Sequence, residues 1–495
     1  MKIIKLNSAA LKHLPGEVIV PAYDRSEIKT GIIHFGPGAF HRAHQAYYTD
    51  KILQKDGMKG WGICDVGLLH SDKKIINTLK DQDGLYTLLT AEHDGSLKAR
   101  ITGSIVGYIF APENPGAVTD KIAGPDTRLI TLTITEGGYN FDSNTGDFRM
   151  NEPLIQWDLS HPDEPRTVFG YLTWGLKLRK DKGIQGLTIQ SCDNIQKNGN
   201  LLKKMLLEFV REAEPALEDW ICEHVTFPNS MVDRITPRTT QTDIDRLKSV
   251  YGIEDKWPVV CEPFIQWITE DKYSNGRPEW ESVGVKFVND VAPYEKMKIR
   301  LLNAGHSLLG FTGALYGYTY IHETVHDQLF AALLRKFMDT EVTPVLDEVP
   351  DIDLDKYKDS LIERFGNHNI RDQVARICLQ SSAKIPKFLI PTIRDQLSAG
   401  GPVMISALIT AAWCRFAEGI DEPGKRYEVE DDMKDILIEK AFLSRRDNLA
   451  FLRIESIFGD LINSEPFTEA YTFSLNSIYS KGIAETVRII LKNTK

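Results

Sequence analysis

The sequence predicts an α/β domain built on a parallel sheet, followed by a mainly α-helical domain. In the first half of the chain, short apolar runs rich in β-branched residues alternate with helical patterns, which is typical of βαβ units. From about residue 293 onward, apolar residues recur with helical spacing instead. A length of 495 residues also favours more than one domain. We therefore predict a first domain at residues 1–288 and a second at 289–495.

Five apolar runs are the predicted strands of the first domain, and turn-forming residues bound them. In chain order they cover residues 31–36, 61–67, 128–135, 186–192 and 258–261. A helix is predicted directly after the first strand, over residues 41–55. In the second domain the clearest helical patterns cover residues 328–337 and 402–418, with breaks at prolines and glycines between them.

The composition argues against several classes of function. The formal net charge is −10, whereas nucleic acids and anionic membranes attract basic surfaces, so neither partner is predicted. The six cysteines are scattered without a C-x-x-C pair, which predicts reduced thiols and no structural zinc site. No apolar stretch approaches the length of a membrane span. These features predict a cytoplasmic protein.

A glycine-rich turn joins the first predicted strand to its helix. In Gly36-Pro-Gly38-Ala39-Phe40, the G-x-G spacing lets the backbone approach a pyrophosphate, so these residues are candidates for cofactor binding. Phe40 and His41 stand where a third small residue is expected, and a plain tight turn stays open as the alternative.

An acidic residue near the end of the second predicted strand is expected to bind the adenosine ribose. Asp72 is our candidate, and a carboxylate there favours NAD over NADP because it repels a 2′-phosphate. The adjacent Lys73 and Lys74 can neutralise such a phosphate, so the strictness of this preference stays open. Asp65, closer to the strand itself, is the competing choice.

Polar residues also follow the third and fourth predicted strands. Ligands of open parallel sheets bind beyond the carboxyl ends of the strands, which makes Glu136 and Gly137 candidates for the cofactor site. A purely turn-forming role for Gly137 remains the alternative. Asn194 is a candidate because an amide can donate to a developing oxyanion. Asp233, in the stretch 231–237, is either a functional carboxylate or only a structural cap.

The most informative stretch is a largely apolar helical run that contains Lys298, Asn303 and His306. At about 100° per residue they lie near 0°, 140° and 80° on a helical wheel, with Glu295 near 60°. Buried polar groups need partners, and a substrate rich in hydroxyl groups is one such partner. Hydrogen bonds to neighbouring elements are the alternative.

Together these motifs resemble the polyol-specific long-chain dehydrogenase/reductase family over nearly the whole chain. The similarity rests on the motifs Gly36-x-Gly38, Thr135-Glu136-Gly137, Ser191-Cys-Asp-Asn194, residues 231–237 and Lys298-x4-Asn303-x2-His306. The resemblance implies an expanded Rossmann-type domain, a mainly helical substrate domain, NAD as cofactor and no metal. It also implies a small polyol or ketose substrate and leans toward a monomer.

The resemblance further implies a role for each matching residue. Lys298 would be the general acid/base, while Asn194 and Asn303 hold the reacting oxygen. His306 would position the substrate and Glu295 would relay the proton to solvent. The implied polyol contacts are Asp233, Arg376 and Lys384, and Asp72 matches the acidic position that disfavours NADP.

The reaction that this resemblance favours is the NAD-dependent oxidation of D-mannitol to D-fructose. Two alternatives within the family stay open, the pair D-mannonate and D-fructuronate, whose carboxylate Arg376 or Lys384 could pair with, and D-arabinitol. An NAD-binding sensor without catalysis is the alternative outside the enzymes, although a sensor has no need of a proton-transferring lysine.

Overall fold

The computed structural model describes residues 3–142 and 146–493. Its chain divides into two units, Met1–Ala292 and Pro293–Lys495. The sequence placed this boundary after residue 288, and the structure places it after Ala292.

The first unit carries all the named strands of the described chain. In chain order they are β1 (Ile4–Lys5), β2 (Thr30–Phe35), β3 (Gly62–Gly67), β4 (Tyr86–Ala91), β5 (Leu97–Thr102), β6 (Ile105–Phe110), β7 (Leu129–Leu132), β8 (Thr188–Ser191), β9 (Ser230–Asp233), β10 (Ile253–Glu254), β11 (Val259–Cys261), β12 (Gln266–Glu270) and β13 (Lys286–Val288). Its α-helices are α1 (Ala39–Ala43), α2 (Gln45–Ile52), α3 (Lys73–Asp81), α4 (Pro115–Ile122), α5 (Thr135–Gly138), α6 (Pro153–Ser160), α7 (Val168–Asp181), α8 (Asn198–Ala213), α9 (Glu218–His224) and α10 (Gln241–Tyr251).

The main sheet has five parallel strands in the order β6-β3-β2-β7-β8. The first of these in the chain, β2, lies at the centre, and the chain then builds outward on both sides. This is the order of a doubly wound Rossmann-type sheet, in which ligands bind where the order reverses, here beside β2 and β7. The predicted fold class of this unit is confirmed.

Both faces of the main sheet are covered, as parallel sheets require. Ile33 and Phe35 of β2 belong to one buried apolar cluster, and Ile32 belongs to another. Successive side chains of a strand point to opposite faces, so these clusters are the cores on the two sides of the sheet. The first cluster includes Leu172 of α7, and the second includes Ile52 of α2.

Two details of the first unit differ from the sequence prediction. The run at 258–261 does form a strand, β11, but it pairs with β4 in a separate three-stranded sheet of order β11-β4-β5. The predicted helix at 41–55 is two helices, broken at His44, whose φ and ψ are −118° and −90°. The His44 ring bonds the carbonyl of Gln266 at 2.9 Å and packs against Trp267, so tertiary contacts override the local helical pattern.

The second unit is built from helices. These are α11 (Ala292–Lys298), α12 (Ala304–Tyr316), α13 (Ile321–His326), α14 (Gln328–Phe337), α15 (Leu354–Phe365), α16 (Val374–Cys378), α17 (Ser381–Phe388), α18 (Ile390–Ala399), α19 (Met404–Phe416), α20 (Lys434–Leu443), α21 (Glu455–Phe458), α22 (Glu465–Lys481) and α23 (Ile483–Asn493). The predicted helices at 328–337 and 402–418 are confirmed as α14 and α19. None of the helices in residues 3–142 and 146–493 combines the length and the hydropathy of a membrane span.

The core of the second unit is formed by α12 and α19. Both helices are buried nearly all round, which requires apolar residues on every face rather than one stripe. Phe311 of α12 stacks near Trp413 of α19, with ring centroids 6.1 Å apart. This packing fixes α12, which carries His306, inside the domain.

Candidate functional site

A cavity of about 1090 Å³ opens in the first unit at the carboxyl ends of the central strands. The turn after β2, the loop after β3 and the turn after β7 all contribute to its wall. This is the crevice in which doubly wound sheets bind their ligands. The predicted residues Gly36, Gly38, Ala39, Asp72 and Gly137 all line it.

The two glycines of the G-x-G turn have different roles. Gly36 adopts a φ of +99°, and a Cβ there would lie 2.1 Å from the carbonyl oxygen of Thr133. The Thr133 hydroxyl in turn donates to the Gly36 carbonyl at 2.9 Å, which ties the turn to the neighbouring strand end. A Cβ on Gly38 would meet nothing closer than 3.9 Å, so the missing side chain there leaves room for a ligand. Position 36 therefore requires glycine because a side chain would strain the turn, whereas the missing side chain of Gly38 leaves the cavity open.

Asp72 and Asp65, the two alternatives for the ribose-binding acid, lie in different environments. Asp72 lines the cavity, and its Oδ2 accepts the backbone N–H of Leu69 at 2.9 Å. Asp65 is fully buried within β3, 3.1 Å from His41 Nε2, and burial raises the pKa of its carboxyl group to about 7. Of the two, Asp72 is the carboxylate that a nucleotide in this cavity could reach.

Four other predicted residues of the first unit are not among those that line the cavity. Phe40 stacks its ring on His44, with centroids 5.0 Å apart. Glu136 lies in α5 and is exposed, as is Asn194, which follows β8. Asp233 is the last residue of β9 and is buried.

The sequence interpretation missed the carboxylate of Asp193, which holds the turn after β7 in place. Its Oδ1 accepts the N–H of Thr135 at 3.0 Å, and its Oδ2 accepts the N–H of Ile134 at 3.0 Å. The hydroxyl of Tyr139 also donates to Oδ2, at 2.8 Å. Burial raises the pKa of Asp193 to about 6. Thr135 has a φ of +60°, an uncommon conformation for a residue with a side chain, so these bonds stabilise a strained turn in the cavity wall.

The wall of the cavity carries more positive than negative side chains. Two carboxylates, Asp72 and Glu152, face five cations, which are Arg42, Lys74, Arg166, Arg238 and Lys256. Arg42 is almost fully buried and donates to the carbonyl of Trp257 at 2.6 Å. Such a balance suits a ligand with a negatively charged pyrophosphate.

In the second unit, the helix that carries Lys298 is not a continuous α-helix. A π-helical turn at Ile299–Asn303 joins α11 to α12, and the N–H of Ala304 donates to the carbonyl of Ile299, five residues earlier. The turn inserts one extra residue and so rotates each later position back by about 100°. Asn303 then falls about 40° from Lys298 and His306 about 20° from it, on the other side. The predicted wheel positions are corrected, and the three polar residues share a narrower face than predicted.

This polar face is largely buried. Lys298 is 5% exposed, Glu295 and His306 are also buried, and Asn303 is half-buried. Arg300, on another side of the helix, pairs instead with Asp395 at 2.6 Å.

The other predicted substrate contacts of this unit lie on α16 and α17. Arg376 of α16 forms a bidentate pair with Asp372, a residue that the sequence interpretation missed. Asp372 also lies 3.9 Å from Nε2 of His306, so it connects two of the predicted residues. Lys384 of α17 donates to the carbonyl of Ile377 at 3.3 Å. The only sequence signal for Asp372 is its i,i+4 spacing from Arg376.

In the described part of the chain, no group of three or more His, Cys, Asp or Glu side chains is arranged to hold a metal ion. His41 and His44, three residues apart, both have protein partners, since His41 lies against Asp65 and His44 bonds the carbonyl of Gln266.

Comparison with known proteins gives matches over nearly the whole chain. The mannitol dehydrogenase Rossmann domain family matches residues 30–282, and the mannitol dehydrogenase C-terminal domain family matches residues 290–479. Mannitol 2-dehydrogenase of Aspergillus fumigatus is 44% identical, over 98% of this chain and 99% of its own length.

Two solved structures are also similar to this chain over nearly its whole length. Pseudomonas fluorescens mannitol 2-dehydrogenase, in a ternary complex with NAD and D-mannitol, is 43% identical with a TM-score of 0.91, over 99% of this chain and 100% of its own. A substrate-free D-sorbitol dehydrogenase is 34% identical with a TM-score of 0.89, over 98% of this chain and 100% of its own. The chain therefore belongs to the mannitol dehydrogenase family of oxidoreductases, and the family and fold class predicted from its sequence are confirmed.

Proposed function

We propose that this protein is an NAD-dependent polyol dehydrogenase that interconverts D-mannitol and D-fructose without a metal, using Lys298 as general acid/base. The observation that carries the proposal is the narrow, largely buried polar face of Lys298, Asn303 and His306 that the π-helical turn creates. The 43% identical Pseudomonas fluorescens enzyme, whose structure contains NAD and D-mannitol, supports the choice of cofactor and substrate.

The cavity of the first unit fits a dinucleotide. Gly36 forms a tight turn against the end of β7, where a Cβ would collide with the carbonyl oxygen of Thr133, while Gly38 and Gly137 have open space beside them. Ala39 completes the turn, and Asp72 would accept hydrogen bonds from the adenosine ribose. We keep Phe40 and Glu136 as proposed cofactor contacts, although neither lines the cavity. When bound there, the oxidised cofactor would supply the hydride acceptor for oxidation of the alcohol, and NADH would supply the hydride for reduction of the ketone.

The protein's own groups handle the proton and the charge. A lysine acts as a base only when it is uncharged, and burial favours the uncharged form. Lys298 would take the hydroxyl proton and pass it to Glu295. The amides of Asn194 and Asn303 would donate to the substrate oxygen as negative charge builds on it. Four side chains would contact the remaining hydroxyl groups, namely Asp233, His306, Arg376 and Lys384.

The test compares Lys298→Ala with a control on the same helix, Lys296→Ala, whose side chain pairs with Asp347 at 3.0 Å. Loss of general acid/base help is expected to lower kcat by about 10²–10⁴ in the first variant, with NAD affinity changed less than about twofold. The control should keep nearly normal turnover. Near-normal turnover by Lys298→Ala would remove the lysine from the mechanism.

A substrate panel tests the other parts of the proposal. D-mannitol, D-arabinitol and D-sorbitol are assayed with NAD and with NADP, and D-fructose and D-fructuronate with NADH. The same assays are repeated with a chelator to test whether a metal takes part, and full activity is expected to remain. NAD binding without turnover of any substrate would support the sensor alternative. The monomeric state and the cytoplasmic location stay predictions.

A further inference from the structure

Asp372 lies two residues before α16, and both oxygens of its carboxylate accept hydrogen bonds from Arg376. The N–H of Ile321 donates to its backbone carbonyl at 2.9 Å, which anchors the segment to α13. Its carboxylate is only 7% exposed. Nε of Arg376 donates to Oδ1 and Nη2 donates to Oδ2, each at 2.7 Å. Bidentate arginine–carboxylate pairs of this kind are strong and well oriented.

The same carboxylate is close to His306. Nε2 of His306 lies 3.9 Å from Oδ2 of Asp372, and its ring packs against Phe365 with centroids 4.2 Å apart. The helices that carry the two partners of Asp372 also touch, because a Cβ on Gly310 of α12 would lie 2.9 Å from Ile377 of α16. The positions of Arg376 and His306 relative to Asp372 are therefore set by packing.

This arrangement changes what Arg376 can bind. Its side chain is 44% exposed, and its bonds to Asp372 use Nε and Nη2, so Nη1 lies outside the pair. That N–H can donate to a hydroxyl oxygen of a substrate. A substrate carboxylate, however, would meet an arginine whose charge is already cancelled, together with the negative charge of Asp372.

We propose that Asp372 makes the substrate site selective for an uncharged polyol over the matching sugar acid, by neutralising and orienting Arg376. This inference rests on the proposed function, because it takes Arg376 as a substrate contact. Asp372 acts through Arg376 and is a positioning residue that sets specificity. Discrimination by an unfavourable charge is a common way to reject a competing ligand.

The test measures kcat/KM for D-fructuronate and for D-fructose with NADH in the wild-type enzyme and in Asp372→Asn. We expect the ratio of fructuronate to fructose to rise by about tenfold or more in the variant, since the charge of Arg376 is released. Inhibition of D-mannitol oxidation by D-mannonate should strengthen in parallel. High salt should shrink both gains, because the pair is partly exposed.

A double-mutant cycle separates this role from a merely structural one. Arg376→Ala should abolish the gain when it is combined with Asp372→Asn, because the two residues act as a unit. Asp460→Asn is the matched control, since Asp460 pairs with Arg394 at 2.7 Å and neither is a predicted site residue. That control should leave the ratio unchanged. Asp372→Ser is a second charge-removing variant in case Asp372→Asn does not fold.

Two outcomes distinguish failure of the inference about Asp372 from failure of the proposed function. If the wild-type enzyme prefers D-fructose and neither charge-removing variant changes the ratio, the inference about Asp372 fails while the proposed function stands. If the wild-type enzyme prefers D-fructuronate, the proposed substrate and the inference both fail.

Discussion

Replacing Asp193 by asparagine should weaken NAD binding by about tenfold while changing global stability little. The carboxylate accepts two backbone N–H groups, those of Ile134 and Thr135, on separate oxygens. An amide has one oxygen, so one of these N–H groups would face an NH₂ donor instead. The turn that lines the cavity would then lose one of its attachments.

The magnitude follows from two opposing effects. An unsatisfied N–H costs about 1–3 kcal/mol. Against this, burial raises the pKa of Asp193 from 3.8 to about 6, a difference worth about 3 kcal/mol at about 1.4 kcal/mol per unit. The variant no longer carries this cost of a buried charge. The free energy of unfolding should thus change by less than about 2 kcal/mol, whereas the lost attachment acts directly on the NAD site.

The sign of the pH dependence follows from the raised pKa. The folded protein holds the Asp193 proton more tightly than the unfolded chain does, so this group lowers stability as pH rises from about 4 to 6 and has no further effect above that. NAD affinity should change in the opposite direction. It should rise as pH increases through about 6, because the ionised carboxylate accepts both N–H groups.

The assay is titration of NADH fluorescence at pH 5 to 8, with thermal unfolding measured in parallel. Asp50→Asn is the matched control, since Asp50 also accepts a backbone N–H, from Gly103, and a tyrosine hydroxyl, from Tyr23. That control should lower stability and leave NADH affinity unchanged. NADH affinity in Asp193→Asn within twofold of wild type, with the same pH dependence, would refute the reasoning.

Three further predictions concern other positions. Gly36→Ala should lower NADH affinity by at least about 100-fold in the same titration, because its Cβ would lie 2.1 Å from the Thr133 carbonyl oxygen and displace the turn; a change below threefold would show that the turn tolerates a side chain. Asp72→Ala should raise kcat/KM for NADP relative to NAD by about tenfold or more, and an unchanged ratio would argue against this carboxylate as the cofactor discriminator. Burial raises the pKa of Glu341 from 4.5 to about 7, so wild-type stability should fall by about 3 kcal/mol between those pH values. Glu341→Gln should remove that slope in thermal unfolding, and a slope equal to that of the wild type would show that other groups cause it.

The periodicity of apolar residues was enough to predict the fold class, because strands buried on both faces and amphipathic helices leave direct patterns. It was not enough to place every strand. The hairpin of β4 and β5 was missed, although Asp94-Gly95 between its strands is a common turn signal. The break at His44 could not be predicted locally, because the group that bonds its ring, Gln266, is 222 residues away.

In the candidate site, too, features that depend on local sequence were predicted, whereas features that depend on distant partners were missed. Glycines that line the cavity were predicted because their role depends on their own backbone. The roles of Asp193 and Asp372 depend on partners that folding brings to them, and a single carboxylate in a sequence carries no sign of those partners. The π-helical turn was also missed, because residues 299–303 have an ordinary helical composition.

The π-helical turn at Ile299–Asn303 accommodates one residue more than a regular helix would hold between Lys298 and His306. Deleting one residue there and restoring an unbroken α-helix would leave His306 about 20° from Lys298, because seven regular steps reach the same angle as eight steps across the turn. A substitution that converts the turn to regular α-helix at unchanged length would instead rotate every later side chain by about 100° relative to Lys298. Engineering of substrate preference in this segment should therefore preserve the π conformation, and a one-residue gap in the alignment of a relative is compatible with the same polar face.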